Sequence, residues 1–335
     1  MEDEVRMNVV IDPYLDAYYC SFYLAGIAEV FDPRAVRFSH DDIPDMPRPH
    51  SMALVLGPDG RRIVIDTQDS AACYGEALSW CDVYAKINVD PAENGDEARK
   101  KVLAIGPSFG IRHWGLAQAV RHAVGRYGKC RSEFDGYRSR REYFANYWRQ
   151  YHYRLPLAAY SPEPSRGNYI FFVSALWKQE RECNEYRANF IAAARSAPGL
   201  EFEGGFAPRR PDDIRGFEAL AVKRRYALDE YIGRLKRSLV AFNTPAVYGC
   251  LGWKLAEYLA LGKAIISTRL NRSLPAPLEH GRHIHFVDGS FDEIKEAVKL
   301  LSGDDAYRRQ LESNAREYFL EYCAPARCIE RIVRS

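Results

Sequence analysis

The stretch LVAFNTPAVYGCLGWKLAEYLALGKAIIST, residues 239–268, decides the fold. Its first four residues are apolar and close on Asn243, Thr244 and Pro245, the pattern of a buried strand that ends at a loop. Gly249 and Gly252 punctuate that loop. From Trp253 onward, Leu255, Tyr258 and Leu259 recur at helical spacing, and Gly262 stands where a helix C-terminus takes a left-handed residue. Residues 264–267 form a second apolar strand. Strand, loop, helix and strand in this order are the unit from which parallel sheets are assembled.

The chemistry of this unit lies at the junction of loop and helix. A helix N-terminus presents unpaired N–H groups and a partial positive charge, which suit a phosphate. Gly249 and Gly252 let the backbone approach a ligand closely. Lys254 adds a cation in the first turn, and Glu257 lies one turn further on the same face. A diphosphate at the helix end, with Glu257 accepting from ribose hydroxyls, is one reading. An ordinary crossover helix carrying an exposed Lys–Glu pair is the other.

The segment resembles the donor-binding core of GT-B glycosyltransferases, in particular the retaining Glu-x7-Glu family (family 4, or group 1). The family pattern E-G-x-G-x-x-x-x-E-A-M-A-x-G-x-P-V-I lines up with G-C-L-G-W-K-L-A-E-Y-L-A-L-G-K-A-I-I. Gly252, Glu257, Ala260, Gly262, Ile265 and Ile266 occupy matching places. Gly249 stands in place of the first glutamate, which in the family contacts the donor sugar. Glu257 matches the second, which holds the ribose. A further likeness runs through YIFFVSALWKQE, residues 169–180, which resembles the family's F-V-G-R-L-x-x-x-K-G. There Ala175 replaces the arginine, Glu180 occupies the lysine register, and Lys178, two residues earlier, is the cation expected on the diphosphate. The resemblance implies two Rossmann-like doubly wound α/β domains facing a cleft. It places donor-binding groups at Lys178, Asn243, Thr244, Gly249, Gly252, Trp253, Lys254 and Glu257. It also implies that the last helices pack across to the N-terminal domain.

Length and composition agree with such a protein. The 335 residues are enough for two domains with cores of their own. A formal net charge of +2 gives no global push toward nucleic acid. No apolar run approaches the ~20 residues of a membrane span. The start, MEDEVRMNVVID, is acidic and leads into a strand, so no secretory signal is expected and a cytoplasmic location follows. Eight cysteines are scattered without a C-x-x-C pair, which reads as buried free thiols.

The N-terminal half alternates short apolar runs with helical stretches. Strands are expected at residues 7–11, 36–38, 52–56, 62–65, 82–88 and 102–105. Helices are expected at 18–31, 73–80 and 114–124. Ligands in such sheets bind outside the carboxyl ends of the strands. Asp12, Asp16, Asp66 and Asp69 follow strands and are the candidate general bases for an acceptor hydroxyl. Helix caps and turns are the competing use of aspartate at these places. Asp66 and Asp69 also have the look of a carboxylate pair for a metal, on weak spacing evidence.

Residues 126–155 combine Arg126, Lys129, Arg131, Arg138, Arg140, Arg141 and Arg149 with an aromatic series, Tyr143, Phe144, Tyr147, Trp148 and Tyr151. Core or interdomain packing of the aromatics ranks first. Peripheral membrane contact with a lipid-linked acceptor ranks second, and nucleic acid a distant third. Residues 161–167, SPEPSRG, form the best linker. The expected domains are therefore 1–160, which binds acceptor, and 161–335, which binds the nucleotide-sugar donor. His280, His283 and His285 invite a metal reading that no further ligand completes. No metal or other cofactor is expected.

The function these features imply is transfer of a sugar from a nucleotide-sugar to a saccharide or lipid-linked acceptor hydroxyl, in surface polysaccharide synthesis. A non-catalytic nucleotide-binding scaffold and a nucleotide-sugar epimerase are the alternatives.

Overall fold

The computed structural model describes residues 8–40, 42–46, 50–90, 92, 100–130, 139–165, 167–177, 179–207 and 216–335. The chain divides into two compact units. The first comprises Met1–Leu157, Ser273–Pro275 and Tyr322–Ser335; the second comprises Ala158–Arg272 and Ala276–Glu321.

In the first unit, β1 (Val9–Ile11), α1 (Ser21–Val30), β2 (Val36–Phe38), β3 (Ser51–Leu56), β4 (Arg61–Asp66), α2 (Gly75–Trp80), β5 (Val83–Lys86) and β6 (Val102–Ala104) follow one another. Helices α3 (Leu116–Tyr127) and α4 (Arg140–His152) come next. The six strands form one sheet in the order β2-β1-β3-β4-β5-β6. It is parallel except at β3, which runs antiparallel to both β1 and β4. The reason is local. The sequence GPDG between β3 and β4 reverses the chain in one tight turn, and a strand pair joined that way is antiparallel. The runs 52–56 and 62–65 around GPDG read as two strands about a turn, and they pair as that hairpin here; their insertion beside β1 is what alternation alone did not specify.

The aromatic series of α4 divides between two environments. Tyr143 and Tyr147 are buried, whereas Phe144 and Trp148 are exposed. At about 100° per residue, residues 143 and 144 point in different directions, so packing the whole series inside was not available to one helix.

The second unit contains β7 (Tyr169–Ser174), α5 (Arg181–Ser196), β8 (Glu201–Phe206), α6 (Leu228–Arg237), β9 (Val240–Asn243), α7 (Trp253–Ala260), β10 (Ala264–Ser267), β11 (His285–Phe286), α8 (Phe291–Gly303) and α9 (Asp305–Tyr318). Strands β7 and β8 pair in parallel, as do β9, β10 and β11. The two groups meet along β7 and β9. Leu239 N donates to the Tyr169 carbonyl at 2.8 Å, and Phe171 N donates to Ser238 Oγ at 2.9 Å. Strand order across the join is β8-β7-β9-β10-β11. Every residue of β9 and β10 is buried, as expected for strands covered on both faces. Phe172, Phe190 and Phe242 knit the core, the last two stacked at 4.5 Å between ring centroids.

The final helix, α10 (Pro325–Arg334), belongs to the first unit and packs on α1, so a single break near residue 160 does not describe the division. Contact is at backbone distance: a Cβ built on Gly26 of α1 would lie 2.3 Å from the Pro325 carbonyl oxygen. Gly26→Ala is therefore expected to destabilise the protein by ~1–3 kcal/mol through overpacking, read as a lower midpoint in urea unfolding.

Candidate functional site

The chain passes from β7 to β8 on one side and then returns through α6 to β9 on the other side of β7. The edge between the carboxyl ends of β7 and β9 is thus the topological switch point, where open α/β sheets bind ligands. Two cations occupy it. Arg187 of α5 donates from Nη1 to the Ala175 carbonyl and from Nε to Thr244 Oγ1, both at 3.0 Å. Lys254, in the first turn of α7, donates from Nζ to the Val173 carbonyl. Its ammonium also lies 4.8 Å from the centroid of the Phe172 ring. Burial, and then the positive charge of Arg187, push the Lys254 ammonium down to about 7, while Glu257 pulls the other way. Burial likewise lowers Arg187. An anion placed here relieves the mutual repulsion of the two cations.

The expected donor-binding residues fall around this edge. Asn243 ends β9 and donates from Nδ2 to Ser267 Oγ at 3.0 Å. Thr244 is buried and lies 3.2 Å from Cys183 Sγ. Gly249 has φ of +69°, and Gly252 caps α7, whose first residue is Trp253. Lys254 is not an exposed partner of Glu257; it turns inward to β7, and Glu257 is itself buried. Lys178 lies outside the described residues.

A cavity of about 670 Å³ opens beside these residues, lined by Pro245, Ala246, Gly249, Thr268, Arg269, Asn271 and Val287 on one side and by the start of α5 on the other. Thr268 was not singled out from the sequence. Its Oγ1 is buried at the cavity wall and has no hydrogen-bond partner among the described residues. Arg187 was also missed, because a single arginine inside a helix carries no local signal. Glu180, Glu182 and Asp288 line the same cavity, which suits hydroxyl recognition there better than phosphate.

The first unit gathers its polar residues at one sheet end as well. Asp66 is fully buried, and both of its oxygens are engaged. Oδ1 accepts from Gln68 N at 2.8 Å. Oδ2 accepts from Tyr84 at 2.8 Å and from the buried Lys86 ammonium at 2.6 Å. Asp66 is therefore a structural anchor and not an available base, and Asp69 sits apart from it on the surface. Asp12 Oδ1 accepts from Tyr14 N at 2.9 Å and lies 3.3 Å from His40 Nδ1. Asp16 Oδ1 accepts from Tyr18 N and Tyr19 N, at 2.9 and 3.1 Å, which is the turn role open to any aspartate after a strand.

The C-terminal histidines serve the backbone and each other. His280 Nδ1 accepts from Phe286 N, His283 Nδ1 accepts from Glu279 N, and His285 Nδ1 lies 3.0 Å from the Tyr307 hydroxyl. Among the described residues no group of three histidines, cysteines or carboxylates is placed to hold a metal ion.

The class defined by this geometry is an α/β protein with a parallel second unit and a cationic switch point. Residues 181–334 match the model of the family described as glycosyl transferase-like. Among the solved structures that resemble the chain are the following. The C-terminal domain of the glycosyl transferase group 1 family protein LpcC from Francisella tularensis is 13% identical over 49% of this chain and 95% of that one, with a TM-score of 0.36. TarM is 8% identical over 83% of this chain and 50% of its own, with a TM-score of 0.46. HepE from Anabaena, in complex with UDP and glucose, is 13% identical over 80% and 69%, with a TM-score of 0.45. The chain thus spans half the length of TarM. No curated protein sequence matches it.

Replacing Asp66 leaves the Lys86 ammonium buried without its counter-charge. Asp66→Ala is expected to cost about 3–5 kcal/mol, the usual penalty for removing one partner of a buried ion pair. Denaturant unfolding checks this, and a native-like midpoint would return Asp66 to the list of bases.

Proposed function

We propose that the protein is a glycosyltransferase that moves a sugar from a nucleotide-sugar to a saccharide or lipid-linked acceptor hydroxyl. The observation that carries this reading is the pair of adjacent cations, Arg187 and Lys254, at the carboxyl ends of β7 and β9. They face the charge that grows on a departing nucleoside diphosphate, and electrostatic support there lowers the barrier to glycosyl transfer. In this reading Thr244, Thr268 and the loop through Gly249 and Gly252 surround the donor, and Glu257 accepts from the ribose. The second unit supplies the donor site and the first unit the acceptor site. No metal cofactor enters the scheme, because the two side-chain cations carry the phosphate charge. A role in surface polysaccharide synthesis in the cytoplasm rests on the family resemblance. Gly249, in the place of the sugar-contacting glutamate, favours the non-catalytic scaffold as the second reading.

Titration with uridine and guanosine diphosphates tests the shared site, and turnover of a nucleotide-sugar separates enzyme from scaffold. Lys254→Met is expected to weaken diphosphate binding 10- to 100-fold, the ~1.5–3 kcal/mol of a hydrogen bond to a charged group. Binding should also take up a proton. The free ammonium titrates near 7, and a bound diphosphate raises it. Affinity is therefore full below pH 7 and falls as the pH rises above it. Calorimetry at pH 8 in buffers of different ionisation enthalpy reads the uptake; its absence in wild type, or its persistence in Lys254→Met, would remove Lys254 from the site.

The acceptor side of the proposal includes peripheral contact with a membrane. Leu116, Val120 and Val124 form an exposed stripe at i, i+4, i+8 along α3, with Phe144 and Trp148 exposed on α4. Arg121, Arg140 and Arg141 are exposed on the same two helices. No described helix is long and apolar enough to cross a membrane. Co-sedimentation with phosphatidylglycerol vesicles, reduced at least tenfold by Val120→Glu and absent with phosphatidylcholine, is the expected result.

A further inference from the structure

We propose that the cavity beside the cation pair is the subsite for the sugar of the donor, with Glu180 as its specificity-determining residue. It takes a neutral hexose or hexosamine and discriminates against a uronate. The inference rests on the glycosyltransferase reading and names the substrate class of that same site. Every residue that lines the cavity belongs to the second unit. Its volume of about 670 Å³ lies in the range of pockets that hold small ligands. Two side chains connect it to the cations. Cys183 lines the cavity, and its Sγ lies 3.2 Å from Thr244 Oγ1, which accepts from Arg187 Nε at 3.0 Å. A diphosphate held at Arg187 and Lys254 therefore leaves its sugar beside the cavity.

The charges of the lining separate the two parts of such a donor. Glu180, Glu182 and Asp288 contribute three carboxylates. Two arginines share the lining, but Arg181 pairs with Glu185 at 2.8 Å, and Arg269 lies over the Phe286 ring, 5.0 Å from its centroid. Carboxylates accept strongly from hydroxyls and repel further negative charge, so the lining favours a polyol over a phosphate or a second carboxylate.

Glu180 is held in place from outside its own helix. It stands at the N-cap of α5, yet its side chain makes no capping bond there. Instead its Oε1 accepts from Tyr248 N at 2.8 Å, in the loop between β9 and α7. The Tyr248 carbonyl accepts from Arg272 Nη2 at 2.6 Å, and Tyr248 has φ of +58°, a strained value for tyrosine of the kind that gathers at functional sites. At the adjacent Gly249, a Cβ would lie 3.2 Å from Asn271 Nδ2. The loop thus presents bare backbone to the cavity, and Glu180 supplies the carboxylate beside it. On the facing wall, Thr268 is 4% exposed and its Oγ1 lacks a partner among the described residues. A hydroxyl of the bound sugar supplies the missing bond.

Calorimetric titration of the full chain tests this by comparing each nucleoside diphosphate with its sugar: UDP with UDP-glucose and UDP-N-acetylglucosamine, GDP with GDP-mannose. Glu180→Gln keeps an oxygen for Tyr248 N and turns the other carboxylate oxygen into a donor. Thr268→Val removes a hydroxyl that makes no bond to a described residue. Both variants are expected to melt as the wild type does and to keep the nucleoside diphosphate affinity within twofold. Glu180→Gln is expected to weaken the tightest nucleotide-sugar about 10- to 100-fold, the range for a hydrogen bond to a charged group, and Thr268→Val at least threefold. The uronate on the same base, UDP-glucuronate or GDP-mannuronate, is expected to bind the wild type at least tenfold more weakly than UDP-glucose or GDP-mannose. A loss under tenfold in Glu180→Gln or under threefold in Thr268→Val, an equal loss for the nucleoside diphosphate, or a uronate bound within tenfold of the hexose overturns the assignment while leaving the glycosyltransferase reading in place. Should Glu180→Gln fail to fold, Thr268→Val and the uronate decide. Binding of neither UDP nor GDP by the wild-type protein overturns both.

Discussion

A parallel sheet gathers the unpaired carbonyls of its strands at one edge, and in the second unit two cations answer them. Lys254 binds the carbonyl of Val173 and Arg187 that of Ala175. Those bonds tie α7 and α5 to β7, the strand on which both halves of the sheet turn. The same bonds hold two like charges together in buried surroundings, where burial lowers both and the charge of Arg187 makes Lys254 harder still to keep protonated. An architectural solution thereby sets two cations side by side at the edge where we propose the diphosphate binds.

The first unit handles its polar edge differently. Asp66, Tyr84 and Lys86 neutralise one another completely inside the sheet end, and nothing of Asp66 is left over for chemistry. Asp16 is held as firmly, but its partner histidine, His50, reaches the surface. Two aspartates, one ending β4 and one in the loop after β1, thus differ in their surroundings. The difference lies in the neighbours: a buried ammonium on the adjacent strand in one case, a half-buried imidazole just before β3 in the other.

Much of the fold was legible because its signals are local. Gly262, expected to be left-handed at the end of α7, has φ of +58°. Ser290 and Glu293 announce the start of α8, and the Ser290 hydroxyl accepts from Glu293 N at 3.3 Å. The strands β9 and β10 lie within a residue of where their apolar runs place them. The hairpin of β3 and β4 was legible in the GPDG turn; the pairing of β3 with β1 was not, because which strand lies beside another is a property of two distant segments. The return of α10 to α1 was implied by family resemblance; the fit itself depends on the bare backbone at Gly26 meeting Pro325.

What the sequence determined by itself is the alternation of strands and helices, their caps and turns, and the loop-to-helix junction where Lys254 and Glu257 stand. Periodicity and capping act over a few residues, so one segment is enough to reveal them. What only the tertiary structure decided is which groups meet: Arg187 beside Lys254 from helices separated by two strands, Thr268 left bare in a cavity, His50 against Asp16 across 34 residues. Such encounters depend on strand order and on the direction in which each side chain leaves its element, and neither is written in the spacing of residues along the chain.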